Sequence, residues 1–302
     1  MSNTALQPAQ PAPAIRAYLG GSFDPVHRGH IQMAMAVYQS LLPLAQAQQR
    51  ALYVSLLPNS RSPFKRQSSD PKHRLAMLKL AIQGTPLYID ELEIWQPPPV
   101  YTIDSVRTLR QRYPADSLIF IMGMDSARSL DKWQDGLQLT DYVHLWVFYR
   151  DTMPVPDTDN ARQALQDWLP TPLQTAVTDS PAALTQPISQ PSFIQTPTDP
   201  TIEQAVLKNS ASGRIYIDMR QVAAISSTQI RQTLQQQPRG DSEAAPDSAA
   251  GNHTKPVIDE QMTAASAINA IMNPPDPLAK WLNPAVYHYI IAHQLYSAAQ
   301  FR

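Results

Sequence analysis

A short apolar run, Ile15 to Gly20, ends in the pair Gly20-Gly21 and leads closely into the apolar helix-like stretch IQMAMAVYQSLL. The alternation of a strand-like run with a helix-like stretch recurs along the chain. Tyr53 to Leu57 is a second run, ending at Pro58, and Asp70-Pro71 marks a helix start with Asp as N-cap and Pro in the first turn, leading into HRLAMLKLAI. Leu87 to Ile94, Leu118 to Gly123 and Tyr142 to Tyr149 read as three more strands, separated by TIDSVRTLRQRY and SARSLDKWQDGL. Arg214 to Met219 is a sixth, and SSTQIRQTLQQ is a late helix that starts on hydroxyl residues. Alternation of this kind predicts an α/β fold, a doubly wound and mostly parallel sheet covered by helices. Ligands in such folds bind beyond the carboxyl ends of the strands.

The proline content qualifies that picture. Of 302 residues 29 are proline, about twice the usual share, while charged residues fall to 16%. The excess gathers in two stretches, about 152–213 and 236–278, both rich in Pro, Gln, Ser and Ala, which read as low-complexity inserts that bury too little apolar surface to offset their ordering. Helical spacing over 161–169 and 259–272 predicts partial helicity inside them. Residues 1–14 read as a disordered tail and 15–302 as one domain carrying both inserts. The inserts are expected to be dispensable for chemistry.

Charge and composition exclude several classes. Lys and Arg number 24 against 25 Asp and Glu, a net charge of −1, so no global field holds a nucleic-acid backbone and any bound anion must be met by a local cluster. The chain lacks cysteine, which excludes disulfides, thiolate metal sites and a cysteine nucleophile. No apolar run reaches the roughly 18 residues that cross a bilayer, and the first residues do not read as a secretion signal. A cytoplasmic protein with no nucleic-acid or membrane partner is the expectation; the sequence leaves its oligomeric state open.

The segment Gly20-Gly21-Ser22-Phe23-Asp24-Pro25-Val26-His27-Arg28-Gly29-His30 joins the first strand to the first helix. Glycines at a strand end let a phosphate approach the backbone, and the helix start aims N–H groups and a positive dipole end at the same place. His27 and His30 are one helical turn apart, so both can donate to one phosphoryl group. Ile225-Ser226-Ser227-Thr228-Gln229-Ile230-Arg231, at the late helix start, offers hydroxyls and N–H groups, with Arg231 one turn along to meet the same anion.

A His-x-Gly-His after a Gly-rich strand end, with the later ISSTQIR segment, resembles the nucleotidyltransferase superfamily of Rossmann-like fold, and within it the bacterial nicotinate-nucleotide adenylyltransferase family. Val100-Tyr101-Thr102-Ile103-Asp104-Ser105, Gly123-Met124-Asp125-Ser126 with Trp133 eight residues after the Asp, Arg74-Leu75-Ala76-Met77-Leu78 and the closing Leu282 to Tyr296 are similar to further segments of that family. The resemblance covers about 15–150, 214–235 and 281–296. It implies adenylyl transfer from ATP to nicotinate mononucleotide, with Mg²⁺ carried in on the ATP phosphates and no resident metal. His27, His30 and Arg231 would be catalytic. Gly20, Gly21, Ser22, Phe23, Lys65, Asp125, Ser226, Ser227 and Thr228 would bind ATP. Thr102, Asp125, Trp133 and Gln134 would hold the mononucleotide, Trp133 by stacking on the pyridine ring. The sequence departs from the family at Val100, where Ser is usual, and in the loop NSRSPFKR, where Lys65 or Arg66 stands in place of a Pro-Pro-His-Lys segment. Pantetheine-phosphate or nicotinamide-mononucleotide adenylyltransferases, and a non-catalytic nucleotide sensor, are the alternative readings.

Overall fold

The computed structural model describes residues 12–60, 68–149, 161–188, 212–220, 222–223, 225–236, 278 and 280–296. Lys65, Arg66, the first eleven residues, the second insert from 237 to 277 and both flanks of the first insert lie outside the described residues.

Among the described residues seven parallel strands, β1 (Ile15–Gly21), β2 (Leu52–Pro58), β3 (Tyr88–Ile89), β4 (Ser117–Gly123), β5 (His144–Phe148), β6 (Val177–Thr178) and β7 (Ile215–Asp218), form one sheet in the order β3-β2-β1-β4-β5-β7-β6. The order reverses between β1 and β4, and a sheet of this kind opens a crevice at that point. The register pairs Leu19 with Ile121, so the glycines Gly21 and Gly123 end their strands at the same depth on either side of it.

Alternating side chains feed two apolar layers. Ile15, Ala17, Leu19, Ile119, Ile121, Trp146 and Phe148 face one layer, which is covered by α1 (Arg28–Ala47), α2 (Pro71–Ala81), a late helix Ser227–Gln236 and a closing helix Pro284–Ala292. Tyr18, Leu118, Phe120, Met122, Leu145, Val147, Ile215 and Ile217 face the other, beneath α3 (Thr102–Arg112) and the one-turn α4 (Met124–Ala127). The helix start at Asp70-Pro71 is as expected, with the Asp70 carboxylate accepting from the Lys72 N–H at 2.7 Å.

Three differences from the sequence reading have local causes. The strand expected over 87–94 shrinks to Tyr88–Ile89, because the Asp90 carboxylate captures the Leu92 N–H at 3.0 Å and turns the chain. The connector after β4 forms α4 and two short 3₁₀ turns, broken at Asp135, whose φ is 48°, and at Gly136, where a Cβ would lie 2.2 Å from the Leu130 carbonyl oxygen. Within 152–213 the helicity expected over 161–169 appears at Ala161–Gln166, and residues 161–188 pack more apolar surface than their composition suggests. They form two short helices (Ala161–Gln166 and Thr171–Gln174), strand β6 and a 3₁₀ turn (Pro181–Thr185). Leu165, Leu169, Leu173 and Leu184 are buried in the two layers.

That segment also closes the amino end of the sheet. The Thr185 carbonyl accepts from Arg50 and from the Ser117 hydroxyl, each at 2.6 Å. His144 on β5 lies 2.9 Å from the Gln186 carbonyl through Nε2 and accepts from the Arg214 N–H through Nδ1, also at 2.9 Å. Burial lowers this imidazole's pKa to about 4, so it stays neutral and bridges the segment to β7.

Candidate active site

The carboxyl end of β1 enters the crevice through Gly20 and Gly21. A Cβ at Gly20 would sit 2.5 Å from the Phe120 ring, so the neighbouring strand's side chain already takes that space. Phe23, buried and held at φ 49°, packs its ring edge-on to His30 at 4.9 Å. His27 is the N-cap of α1 and is buried, while His30 is half-buried in the first turn. Their rings stack at 3.7 Å between centroids and 23° between planes. The His27 backbone N–H donates to His30 Nδ1 at 3.3 Å. A neutral His30 that accepts at Nδ1 carries its proton on Nε2.

The late helix meets this turn directly. A Cβ at Gly29 would lie 2.9 Å from the Ala223 carbonyl oxygen, so only glycine lets α1 and the segment before the late helix come so close. Ser226 and Gln229 exchange hydrogen bonds in the pattern of a capping box: the Ser226 N–H donates to Gln229 Oε1 at 2.9 Å, and the Gln229 N–H donates to Ser226 Oγ at 3.2 Å. Ser227 Oγ donates to the Pro25 carbonyl at 2.9 Å, and Arg231 Nη1 donates to the Asp24 carbonyl at 2.6 Å while Nη2 donates to Thr228 Oγ1 at 3.2 Å. The two expected motifs are therefore one assembly: histidines, hydroxyls and a guanidinium around a single turn.

The other end of the crevice is more open. Asp125 is exposed in the first turn of α4, at the end of β4, and Gln134 is exposed as well. Thr102 begins α3 behind Tyr101, which makes no side-chain cap and so leaves the first N–H groups of that helix uncapped by a side chain. Trp133 is half-buried, with part of its surface against the second apolar layer. Arg107 of α3 ties the two segments together, lying 3.4 Å from Asp135 and 3.2 Å from Gln138. Beneath them Glu93 is buried near Ser105, and burial raises its pKa to about 7 against the lowering effect of the Ser105 hydroxyl, with nearby Asp90 adding to the rise.

Among the described residues no three His, Asp or Glu side chains gather closely enough to hold a metal ion. Imidazoles, hydroxyls and one guanidinium suit phosphate oxygens, and the donor set is not an oxygen cage for a hard cation.

Comparison with known proteins follows the same lines. A cytidylyltransferase-like family profile matches residues 18–233. A protein of Pectobacterium atrosepticum carrying the name "Probable nicotinate-nucleotide adenylyltransferase" is 33% identical over 231 residues, which is 74% of this chain and 89% of that protein. A relative of the same name from Serratia proteamaculans is 32% identical over 76% of this chain and 88% of its own length. This chain belongs to the nicotinate-nucleotide adenylyltransferase family. A relative from Pseudoalteromonas atlantica reaches 41% identity over 148 residues, 48% of this chain and 64% of that protein. Nicotinic acid mononucleotide adenylyltransferase of Plasmodium falciparum, solved in complex with NaAD, superposes with a TM-score of 0.53 at 14% identity, covering 94% of this chain and 97% of its own; the likeness is one of fold.

Sequence reasoning missed the polar hub beneath the family's first motif. Arg74 of α2 is fully buried and donates to four backbone carbonyls, Ser22 at 2.9 Å, Asn59 at 2.7 Å, Ser60 at 2.6 Å and Ser69 at 3.2 Å. It thereby binds the described residues on either side of 61–67, the segment that includes Lys65 and Arg66. A signal was present: Arg74 is in helical phase with the buried Met77, Leu78 and Ala81. Asp24 is buried beside it, taking the Ser69 N–H at 3.1 Å and the Tyr296 hydroxyl at 2.6 Å.

Proposed function

We propose that this chain transfers the adenylyl group of ATP to nicotinate mononucleotide. The 5′-phosphate oxygen of the mononucleotide attacks the α-phosphorus, the bond from that phosphorus to the oxygen bridging to the β-phosphate breaks, and pyrophosphate leaves with the bonding pair. The observation that carries the reading is the stacked pair His27 and His30 at the start of α1, locked to Arg231 through the Asp24 to Pro25 turn. The 5′-phosphate is largely ionised at neutral pH, so the imidazoles act as donors to phosphoryl oxygens and no base is needed. Catalysis of this kind is positioning and charge neutralisation.

In this reading His30 Nε2 donates to the transferring phosphoryl group, His27 supports it, and Arg231 neutralises the leaving pyrophosphate. Gly20, Gly21, Ser22 and Phe23 form the floor for ATP, with Ser226, Ser227 and Thr228 at the late helix and Asp125 at the nucleoside. Lys65 or Arg66, in the segment whose described flanks Arg74 binds, adds a cation. Trp133 stacks on the pyridine ring, and the N–H groups at Thr102 and Gln134 take the carboxylate. Mg²⁺ enters as part of the substrate, bound by ATP phosphates and water. A cytoplasmic location belongs to the same proposal, supported by the need for ATP.

The test is pyrophosphate release from ATP with nicotinate mononucleotide, nicotinamide mononucleotide or phosphopantetheine as acceptor. Turnover with a strong preference for the nicotinate form is expected, because N–H groups at a helix start favour a carboxylate over an amide. Equal efficiency with the nicotinamide form would refute the acceptor assignment, and no turnover with any of them would refute the activity.

A further inference from the structure

We propose that Tyr296, sixty residues beyond the late helix, is a positioning residue for adenylyl transfer, fixing Arg231 and Ser227 through the Asp24 to Pro25 turn. The inference rests on the role given above to Arg231. The Tyr296 hydroxyl donates to Asp24 Oδ1 at 2.6 Å, while Asp24 Oδ2 accepts from the Ser69 N–H at 3.1 Å. With its side chain held on both oxygens, Asp24 presents its carbonyl to Arg231 Nη1 at 2.6 Å, and the next residue presents its carbonyl to Ser227 Oγ at 2.9 Å. Both groups of the late helix that face the phosphates therefore dock on one peptide turn, and Tyr296 is the donor that reaches the carboxylate of that turn from the far end of the chain.

Two further observations point the same way. Tyr296 is completely buried, yet its backbone lies in the left-handed region at φ 61°. That conformation costs a residue with a side chain roughly 1 to 2 kcal/mol, so the local sequence does not favour it and the docked phenol must hold it there. The same closing segment also touches the start of α1, where the Arg28 N–H donates to the Trp281 carbonyl at 2.8 Å. Burial and the adjoining carboxylate push the Tyr296 hydroxyl well above its ordinary pKa, which keeps it a donor throughout the neutral range.

A tail that merely anchors the fold would not distinguish Tyr296 from other contacts of the closing helix. Tyr289 supplies the control: it lies on the closing helix itself, its hydroxyl 2.9 Å from His73 Nδ1 and its ring 4.1 Å from that of His293, with no bond to the Asp24 turn. Tyr296→Phe keeps the ring and removes only the hydroxyl. The expected result is a kcat roughly tenfold lower, because small misplacements of a charge-stabilising group are costly, with KM for nicotinate mononucleotide within about twofold of wild type. Tyr289→Phe is expected to keep its kcat. In an Arg231→Ala background Tyr296→Phe should cost well under tenfold, the remainder acting through Ser227. Wild-type kcat in Tyr296→Phe, or losses that multiply in the double variant, would overturn the inference while leaving the function intact. Wild-type kcat in Arg231→Ala would refute the role of the cation itself, and with it this inference.

Discussion

At the phosphate end of the crevice the polar groups are bound to other parts of the protein: Arg231 to the Asp24 carbonyl, Ser227 to Pro25, Asp24 to Tyr296 and Ser69, and Arg74 to four carbonyls. At the ring end Asp125 and Gln134 are exposed, Trp133 is half-buried, and the joining bonds of Arg107 are 3.2 Å and longer. In the proposed reading the difference follows from what each end does. Charge that develops during phosphoryl transfer is best met by donors already fixed in place, since moving them during the reaction costs energy. A ring that must enter and leave is better met by a stacking face and by helix N–H groups that water can also satisfy. Rigidity is therefore expected to show in kcat at one end, and accessibility to show in KM at the other.

The largest effect should come from the rigid end. His30→Ala is predicted to lower kcat by about 3 kcal/mol of transition-state stabilisation, on the order of a hundredfold, with KM for ATP changed far less. Steady-state pyrophosphate release checks it; a rate within threefold of wild type would remove His30 from the chemistry.

The next effect is expected in the stability of the ring end, where Glu93 is buried. Its pKa is raised from 4.5 to about 7, so it is neutral in both the folded and unfolded chain at low pH. As pH rises through the interval from about 4.5 to 7 the unfolded chain ionises first, and the folded state loses stability relative to it. Above about pH 7 the whole penalty is present. Glu93→Gln should therefore be more stable than wild type at pH 8 by about 3 kcal/mol, and the gap should close by pH 4. Denaturant unfolding at the two pH values measures it, and a constant gap would show that the carboxyl does not titrate in that range.

The smallest effect belongs to Trp133. Loss of a stacking face on a pyridinium is worth on the order of 1 kcal/mol, so Trp133→Ala should raise KM for the mononucleotide several-fold and leave KM for ATP unchanged. If both constants rise together, or the variant unfolds, the indole belongs to the apolar layer and not to the substrate.

How much of this was legible in the sequence depended on how local each signal is. His27, His30 and the Ser226 to Arg231 segment could be read because each lies within one turn of a helix start and follows a strand or a hydroxyl cluster. The sheet could be read because apolar runs and helical spacing are short-range patterns. The hub was not legible, since Asp24 and Tyr296 are 272 positions apart and Asp24 and Ser69 are 45 apart. Nothing in FDP or in QLYSAAQ alone announces a contact. Residues 161–188 were only partly legible for another reason: Pro, Gln and Thr make up 12 of their 28 residues, yet Leu165, Leu169, Leu173 and Leu184 are spaced to reach two different layers. Composition averages such residues away, and burial depends on where each one falls.

The division between the two ends is tested most directly by combining His30→Ala with Trp133→Ala and measuring kcat/KM for nicotinate mononucleotide. Sites that share no partner contribute independently, so the loss in the double variant should equal the product of the two single losses within about twofold. A double variant no worse than His30→Ala alone would mean that both side chains act on one step, and the separation of chemistry from recognition would be wrong.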